Sequence, residues 1–70
     1  MSPKISEESK IQKKSYIIYN AMKLFSQKGF VETSMEDIVK ATGMSKGGIY
    51  NYFKSKEEIF LRSEEHTSEL

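Results

Sequence analysis

The stretch TSMEDIVKATGMSKGGIYNYF, residues 33–53, holds two short helix patterns separated by a glycine turn. The first helix opens with a capping box, in which a hydroxyl side chain is followed three residues later by a carboxylate. Thr33 with Glu36 and Ser34 with Asp37 both fit this pattern, so the sequence leaves two registers open. The apolar face of this helix is expected to consist of Met35, Ile38, Val39 and Ala41.

A second short helix follows the turn at Gly43. We expect Ser45 to cap this helix, which then runs to Tyr52 or Phe53. Ile49 and Phe53 lie one helical turn apart and are expected to face the core together. Two helices joined by a short connection that contains glycine are the signature of a helix-turn-helix.

A longer amphipathic helix precedes this motif. Between Ile11 and Lys28 the apolar residues recur along one stripe of a helix. Gly29 then supplies the left-handed position that ends a helix, and Phe30 follows as its hydrophobic contact. The stripe consists of Ile17, Ile18, Ala21, Leu24 and Phe25.

A fourth helix is expected after the motif. Ser55 and Glu58 form another capping box, and Ile59 and Phe60 begin the apolar face of the helix that follows. The sequence contains no strand pattern and no repeat. The predicted fold class is therefore all-α: a three-helix, homeodomain-like bundle with a helix-turn-helix, followed by the start of a fourth helix.

Length and composition restrict the classes of function. Seventy residues allow one small domain, and the absence of cysteine excludes disulfides and thiolate metal sites. No apolar run reaches the ~20 residues of a membrane span, and the N-terminus has no apolar secretion signal. We therefore expect a cytoplasmic protein with no membrane partner. No catalytic histidine, cysteine or carboxylate pair is recognisable, so no enzymatic activity, cofactor or metal is expected.

The C-terminal residues 62–70 differ from the rest of the chain in charge. Residues 1–61 hold ten lysines against seven acidic residues, whereas residues 62–70 hold one arginine and three glutamates. The segment RSEEHTSEL reads either as a polar helix end or as the translation of a widely used sequencing-adapter oligonucleotide, AGATCGGAAGAGCACACGTCTGAACTC. Every codon matches, so we expect a non-native tail and assign no role to His66.

The first turn of the second motif helix carries candidate binding residues. In DNA-binding helix-turn-helix units this helix enters the major groove, and its N-terminal residues meet the base edges. Lys46 can reach a phosphate or a guanine edge, while Gly47 and Gly48 allow the backbone to come close to DNA. Ser45 is the cap and a further candidate contact.

The aromatic residues of the same helix are a second candidate surface. Tyr50 and Tyr52 cannot both face the core with Ile49 and Phe53, so at least one tyrosine is expected to be exposed, as suits a nucleic-acid surface. Asn51 either reads adenine or faces solvent. The tyrosine surface also fits a small helical protein–protein interaction module.

The first helix has an alternative interpretation of its own, as an amphipathic helix on a membrane surface. Its apolar face is needed to cover the two short helices, which weighs against that interpretation.

The stretch GFVETSMEDIVKATGMSKGGIYNYFKSKEEIF resembles the N-terminal DNA-binding domain of the TetR family of bacterial transcriptional regulators. The resemblance covers about residues 11–61, and its spacing is unbroken. The residues that carry it are Phe25, Gly29, Phe30, Thr33, Ile38, Gly43, Met44, Ser45, Lys46, Gly47, Ile49, Tyr50, Tyr52, Phe53, Lys54, Ser55, Lys56 and Glu57.

The resemblance implies that the third helix is the recognition helix of a three-helix DNA-binding core. The DNA contacts expected from it are Thr33, Ser34, Ser45, Lys46, Gly47, Gly48, Tyr50, Asn51, Tyr52 and Lys56. Of these, Thr33, Tyr52 and Lys56 are expected to contact phosphate, while Tyr50 and Asn51 are expected to face the groove.

The resemblance also implies partners for the whole protein. TetR-type regulators usually act as homodimeric repressors on palindromic double-stranded operators and are released by a small-molecule inducer. The domain that would dimerise and bind the inducer is expected after Leu61 and is missing from this sequence. The expected organisation is a disordered arm at residues 1–9, a TetR-type helix-turn-helix DNA-binding domain at 10–61 and a non-native tail at 62–70.

Overall fold

The computed structural model describes the backbone of residues 5–68 and the side chains of residues 10–64. This part of the chain forms four helices and no strand, which confirms the all-α prediction. In chain order, the helices are α1 (Ile5–Lys28), α2 (Met35–Thr42), α3 (Lys46–Tyr52) and α4 (Lys56–Ser68). None of them combines the length and the apolar character needed to cross a bilayer.

The first helix is longer than the sequence pattern suggested. It begins at Ile5 rather than at Ile11, so the expected disordered arm is wrong for residues 5–9, while residues 1–4 lie outside the described part. The stretch from 5 to 9 contains neither glycine nor proline, and nothing in it interrupts a helix that is already anchored further along.

The end of α1 is as expected. Gly29 has a φ of +94°, and its N–H donates a 2.9 Å hydrogen bond to the carbonyl of Phe25. The Phe30 ring then packs on that of Phe25, with 4.9 Å between the ring centroids. The left-handed glycine therefore turns the chain back along α1 toward α2.

The core lies where α1 meets the three shorter elements. Its buried apolar residues are Ile17, Ile18, Ala21, Phe25, Ile38, Ile49, Phe53 and Ile59. The helices α2 and α3 have only eight and seven residues and would be marginal alone in water. Each holds its place through a fully buried isoleucine, Ile38 in α2 and Ile49 in α3.

The turn between α2 and α3 is built around Thr42. Its hydroxyl donates to the carbonyl of Val39 at 3.1 Å and accepts from the Met44 N–H at 3.2 Å. Gly43 follows with a φ of +75°. The hydroxyl of Tyr16 on α1 donates to the Thr42 carbonyl at 3.1 Å, which ties the turn to the long helix.

The expected apolar face of α2 was wrong at one position. Ala41 is exposed, and Thr42 is buried instead. Thr42 lies four residues after Ile38 and is therefore on the same face, whereas Ala41 is rotated away from it. The threonine hydroxyl forms hydrogen bonds within the turn, so its burial leaves no polar group without a partner.

The helix α4 starts at a modified capping box. The Ser55 hydroxyl accepts from the Glu58 N–H at 3.3 Å. The Glu58 carboxylate, however, accepts from the backbone N–H of Lys54 at 2.8 Å rather than from that of Ser55. The helix continues into residues 62–68, and Ser63 is buried, its hydroxyl donating to the Phe60 carbonyl. The adapter-derived origin of residues 62–70 stays a prediction.

Candidate nucleic-acid interface

The start of α3 is exposed and carries a cation. Ser45 is the cap, and its hydroxyl accepts from the Gly48 N–H at 3.0 Å. Lys46 Nζ lies 3.5 Å from Glu36 Oε2, with 61% and 72% of the two side chains exposed. Such an exposed pair contributes little stability, so the Lys46 ammonium can exchange Glu36 for another anion.

The two adjacent glycines have different surroundings. A Cβ on Gly48 would lie 3.1 Å from Ser45 Oγ, whereas a Cβ on Gly47 would meet nothing within 4 Å. The cap of α3 therefore accounts for Gly48. No contact among the described residues requires Gly47, which leaves a flat exposed surface where a partner can approach the backbone.

The last three residues of α3, which follow Ile49, are only partly as exposed as expected. Asn51 is exposed, while Tyr50 and Tyr52 are both half-buried. Tyr52 packs against the core cluster because it lies three residues after Ile49 and therefore near the same face. The prediction that at least one of the two tyrosines would be exposed is wrong.

The start of α2 resolves the choice between two capping registers. The Ser34 hydroxyl accepts from the Asp37 N–H at 3.1 Å, and Asp37 Oδ2 accepts from the Ser34 N–H at 3.0 Å. Lys28 Nζ donates to the same Oδ2 at 2.8 Å. The hydrogen bond from Lys28, followed by that from the Ser34 N–H, lowers the pKa of Asp37 from 3.8 to about 2.

Thr33 is buried in the domain, and this geometry does not support its expected phosphate contact. Only 1% of the residue is exposed, and its hydroxyl donates to the Gly29 carbonyl at 2.8 Å. The hydroxyl thus closes the loop between α1 and α2. The neighbouring Ser34, at the start of α2, is exposed and can contact a partner.

Lys56 is also engaged inside the chain. Its ammonium donates to the carbonyls of Phe30 at 2.7 Å, Val31 at 3.1 Å and Thr33 at 2.9 Å. It also lies 4.6 Å from the centroid of the Phe30 ring. An ammonium has three donors, and these three hydrogen bonds use all of them. The expected phosphate contact of Lys56 is therefore not supported by this geometry.

The fold places the expected site residues in three settings. Thr33 and Lys56 meet each other at the loop between α1 and α2. Four others, Ser45, Gly48, Asn51 and Tyr52, share an open hollow with the N-terminal half of α1, which the sequence pattern did not single out. The rest do not line this hollow: Ser34, Lys46, Gly47 and Tyr50. The hollow is lined by Gln12, Lys13, Tyr16, Met44, Ser45, Gly48, Asn51 and Tyr52.

The sequence did contain an indication that α1 contributes to this hollow, through Gln12, Lys13 and Tyr16. Residues 10–28 contain five lysines and no acidic residue, so this part of α1 carries only positive charges. Among the side chains of residues 10–64, no cluster of three or more histidines, cysteines, aspartates or glutamates is arranged to hold a metal ion.

Comparisons with known proteins agree on one family. The model of the bacterial regulatory proteins of the tetR family matches residues 17–62. The HTH-type transcriptional regulator YfiR of Bacillus subtilis is 45% identical over 62 residues, which are 89% of this chain and 30% of that protein. AcrR of Shigella flexneri, also named an HTH-type transcriptional regulator, is 38% identical over 60 residues, or 86% of this chain and 27% of that protein.

A further relative carries a more specific name. IcaR of Staphylococcus epidermidis, named a negative transcriptional regulator of the biofilm operon icaADBC, is 42% identical over 53 residues, or 76% of this chain and 29% of that protein. The chain thus spans less than a third of the length of these relatives. The family match covers the C-terminal half of α1, all of α2 and α3, and the start of α4, and so includes the whole helix-turn-helix. The chain belongs to the tetR family of bacterial regulatory proteins.

Proposed function

We propose that this chain binds double-stranded DNA sequence-specifically, with α3 in the major groove of one operator half-site. Its family and the names of its relatives, which are transcriptional regulators rather than enzymes, support DNA binding. The observation that carries the proposal is the open start of α3. There Lys46 is exposed beside Gly47, where the space around the backbone is empty.

The proposed contacts divide into base readers and phosphate binders. Lys46 reaches a guanine edge or a phosphate, and the exposed Asn51 makes contacts with a base. Gly47 lets the backbone approach the duplex. Ser34 and Ser45 accept hydrogen bonds from their own helices, and each keeps a hydroxyl hydrogen that can be donated to a phosphate oxygen.

The whole protein is proposed to act as a homodimer on a palindromic operator, because two-fold symmetric proteins bind two-fold symmetric sites. Repression, with release by a small-molecule inducer, follows from the family resemblance, and the name of IcaR as a negative regulator supports it. Binding to chromosomal DNA would place this activity in the bacterial cytoplasm. These properties depend on parts of a full-length protein beyond the matched domain.

The alternative, a protein interaction module built on Tyr50 and Tyr52, has lost support. Both side chains are half-buried, and Tyr52 packs on the core cluster. They do not form the exposed aromatic pair that such a surface would need.

The proposal is tested by enriching bound duplexes from a pool of random-sequence DNA with the 70-residue chain. We expect a short motif of a few consecutive base pairs to emerge, as one recognition helix can contact only one half-site. The Lys46→Ala variant should bind the enriched duplex more weakly, whereas Lys23→Ala removes the same charge from α1 outside the hollow and should bind as before. A pool that stays random after repeated rounds would refute sequence-specific binding.

A further inference from the structure

We infer that the N-terminal half of α1 forms a second wall of the DNA-binding surface, with Lys13 contacting the phosphate backbone beside the bases that α3 reads. This inference rests on the proposed DNA binding and adds a contact that the helix-turn-helix alone does not provide. The partner at this wall is the sugar-phosphate backbone of the same duplex.

The hollow between α1 and α3 brings the two walls together. Gln12, Lys13 and Tyr16 of α1 line it together with Ser45, Asn51 and Tyr52. Ser45 and Asn51 are proposed DNA contacts, and both therefore share a surface with Lys13. A duplex seated against the exposed side of α3 is wider than that helix, because its major groove alone admits an α-helix, and its backbone must extend over the neighbouring wall.

The α1 wall is held at a fixed position relative to α3. Tyr16 lies one turn after Lys13, and its hydroxyl is hydrogen-bonded to the Thr42 carbonyl in the turn before α3. The next residue, Ile17, is fully buried in the core. These two contacts fix the rotation of α1 about its axis, so the backbone at Lys13 is already in place at the hollow and only the side chain is ordered when DNA binds.

The charge of the wall fits a polyanion. Residues 10–28 hold five lysines and no acidic residue. Two of these lysines have partners within the chain: Lys28 is paired with Asp37, and Lys23 lies 5.5 Å from the centroid of the Tyr19 ring. Lys13 forms no ion pair with any residue in 10–64, and none of the residues that line the hollow is acidic.

The chemistry of the wall indicates backbone contact rather than base reading. A lysine ammonium is a compact cation on a flexible stem and binds phosphate without demanding a fixed geometry. Gln12 beside it can donate an amide N–H to a phosphate or sugar oxygen, as side chains do in most protein–DNA hydrogen bonds. The α1 wall would therefore add affinity and orientation, while α3 supplies the sequence preference.

The inference is tested by measuring the affinity of the 70-residue chain for a duplex of about 20 base pairs over a range of salt concentrations. Neutralising one phosphate contributes about 0.9 to the slope of log K against log salt. The Lys13→Ala variant should lose about this much slope and bind about eightfold more weakly at 0.1 M salt. Lys14→Ala is the matched control, since it removes the same charge from the adjacent residue, which does not line the hollow.

A second variant tests the same wall by gain of binding. Gln12→Lys adds a cation to the hollow and should steepen the slope by about 0.9. Helical circular dichroism should be the same for all variants, since residues 12, 13 and 14 are exposed.

The outcomes separate this inference from the proposed function. Wild-type chain that binds DNA while the Lys13→Ala and Lys14→Ala variants give equal slopes would overturn the α1 contact alone. Wild-type chain that fails to bind any duplex would overturn the proposed function and, with it, this contact. A change in slope confined to the Lys13→Ala and Gln12→Lys variants would support it.

Discussion

The ammonium of Lys56, at the first position of α4, donates a 2.9 Å hydrogen bond to the backbone carbonyl of Thr33, 23 residues earlier in the chain. Two further hydrogen bonds, to Phe30 and Val31, complete a clamp on the loop before α2. The rings of Phe25, Phe30 and Phe60 pack beside it, with centroids 4.9 to 6.3 Å apart. The position of α4 is therefore linked to the start of α2 by direct contacts.

The clamp predicts that Lys56→Met destabilises the domain. The variant keeps the apolar stem and removes three hydrogen bonds, so we expect a loss of about 1–2 kcal/mol in the free energy of unfolding measured with urea. Lys54→Met is the control, because Lys54 is exposed and only its backbone N–H takes part in a described hydrogen bond. Equal stability of the two variants would contradict a structural role for the Lys56 ammonium.

The two glycines of α3 predict unequal effects of alanine. Gly47→Ala should raise stability by up to about 1 kcal/mol, because alanine favours the helix and its Cβ meets no neighbour. It should nevertheless weaken DNA binding, because the methyl group separates the backbone from the duplex. Gly48→Ala should raise the melting temperature less than Gly47→Ala does, because its Cβ would lie 3.1 Å from Ser45 Oγ and displace the cap. If Gly47→Ala bound DNA as tightly as the wild type, a close backbone approach there would be ruled out.

The Asp37 carboxylate predicts a specific loss of stability in acid. Its pKa is about 2 in the folded chain against 3.8 ordinarily, so the folded state favours the ionised form. The resulting stabilisation is fully present above pH 4 and is lost as the pH falls toward 2. Thermal unfolding between pH 5 and pH 2 should therefore show a steeper decline for the wild type than for Asp37→Asn. Parallel curves would show that the bonds to Lys28 and Ser34 do not favour the charged form.

The link between α1 and the turn predicts unequal effects of removing two tyrosine hydroxyls. Tyr16→Phe breaks the hydrogen bond to the Thr42 carbonyl and should cost about 0.5–1.5 kcal/mol of stability. Tyr19→Phe is the matched control on the same helix, since Tyr19 is 63% exposed. Chemical denaturation of both variants measures the difference. Equal denaturation midpoints would contradict a stabilising role for the Tyr16 hydroxyl.

Local patterns predicted the helices and their caps because these depend on neighbouring residues. The structure confirmed Ser45 as the cap of α3, the turn at Gly43 and the left-handed conformation of Gly29. The choice between Thr33 and Ser34 as cap could not be made locally, since both have a carboxylate three residues on. It was decided by Lys28, nine residues before Asp37, whose ammonium binds the Asp37 carboxylate.

Contacts made by backbone carbonyls explain why the structure does not support two of the expected phosphate contacts. Lys56 and Thr33 both resemble exposed polar residues in the sequence, yet each donates to carbonyls of the loop between α1 and α2. A carbonyl is present at every residue, so no sequence pattern marks the ones that accept. The α1 wall was missed for a related reason, since Lys13 and Asn51 are 38 residues apart in the sequence and line one hollow only in the folded chain.

The central claim is that α3 reads base sequence, and fluorescence anisotropy tests it most directly. The affinity of the 70-residue chain for a labelled duplex with the enriched motif is compared with that for a duplex in which one base pair of the motif is replaced. The account predicts that the replaced duplex binds roughly 5- to 150-fold more weakly, as expected for about 1–3 kcal/mol per mismatched base pair. Equal affinity for the two duplexes would contradict it.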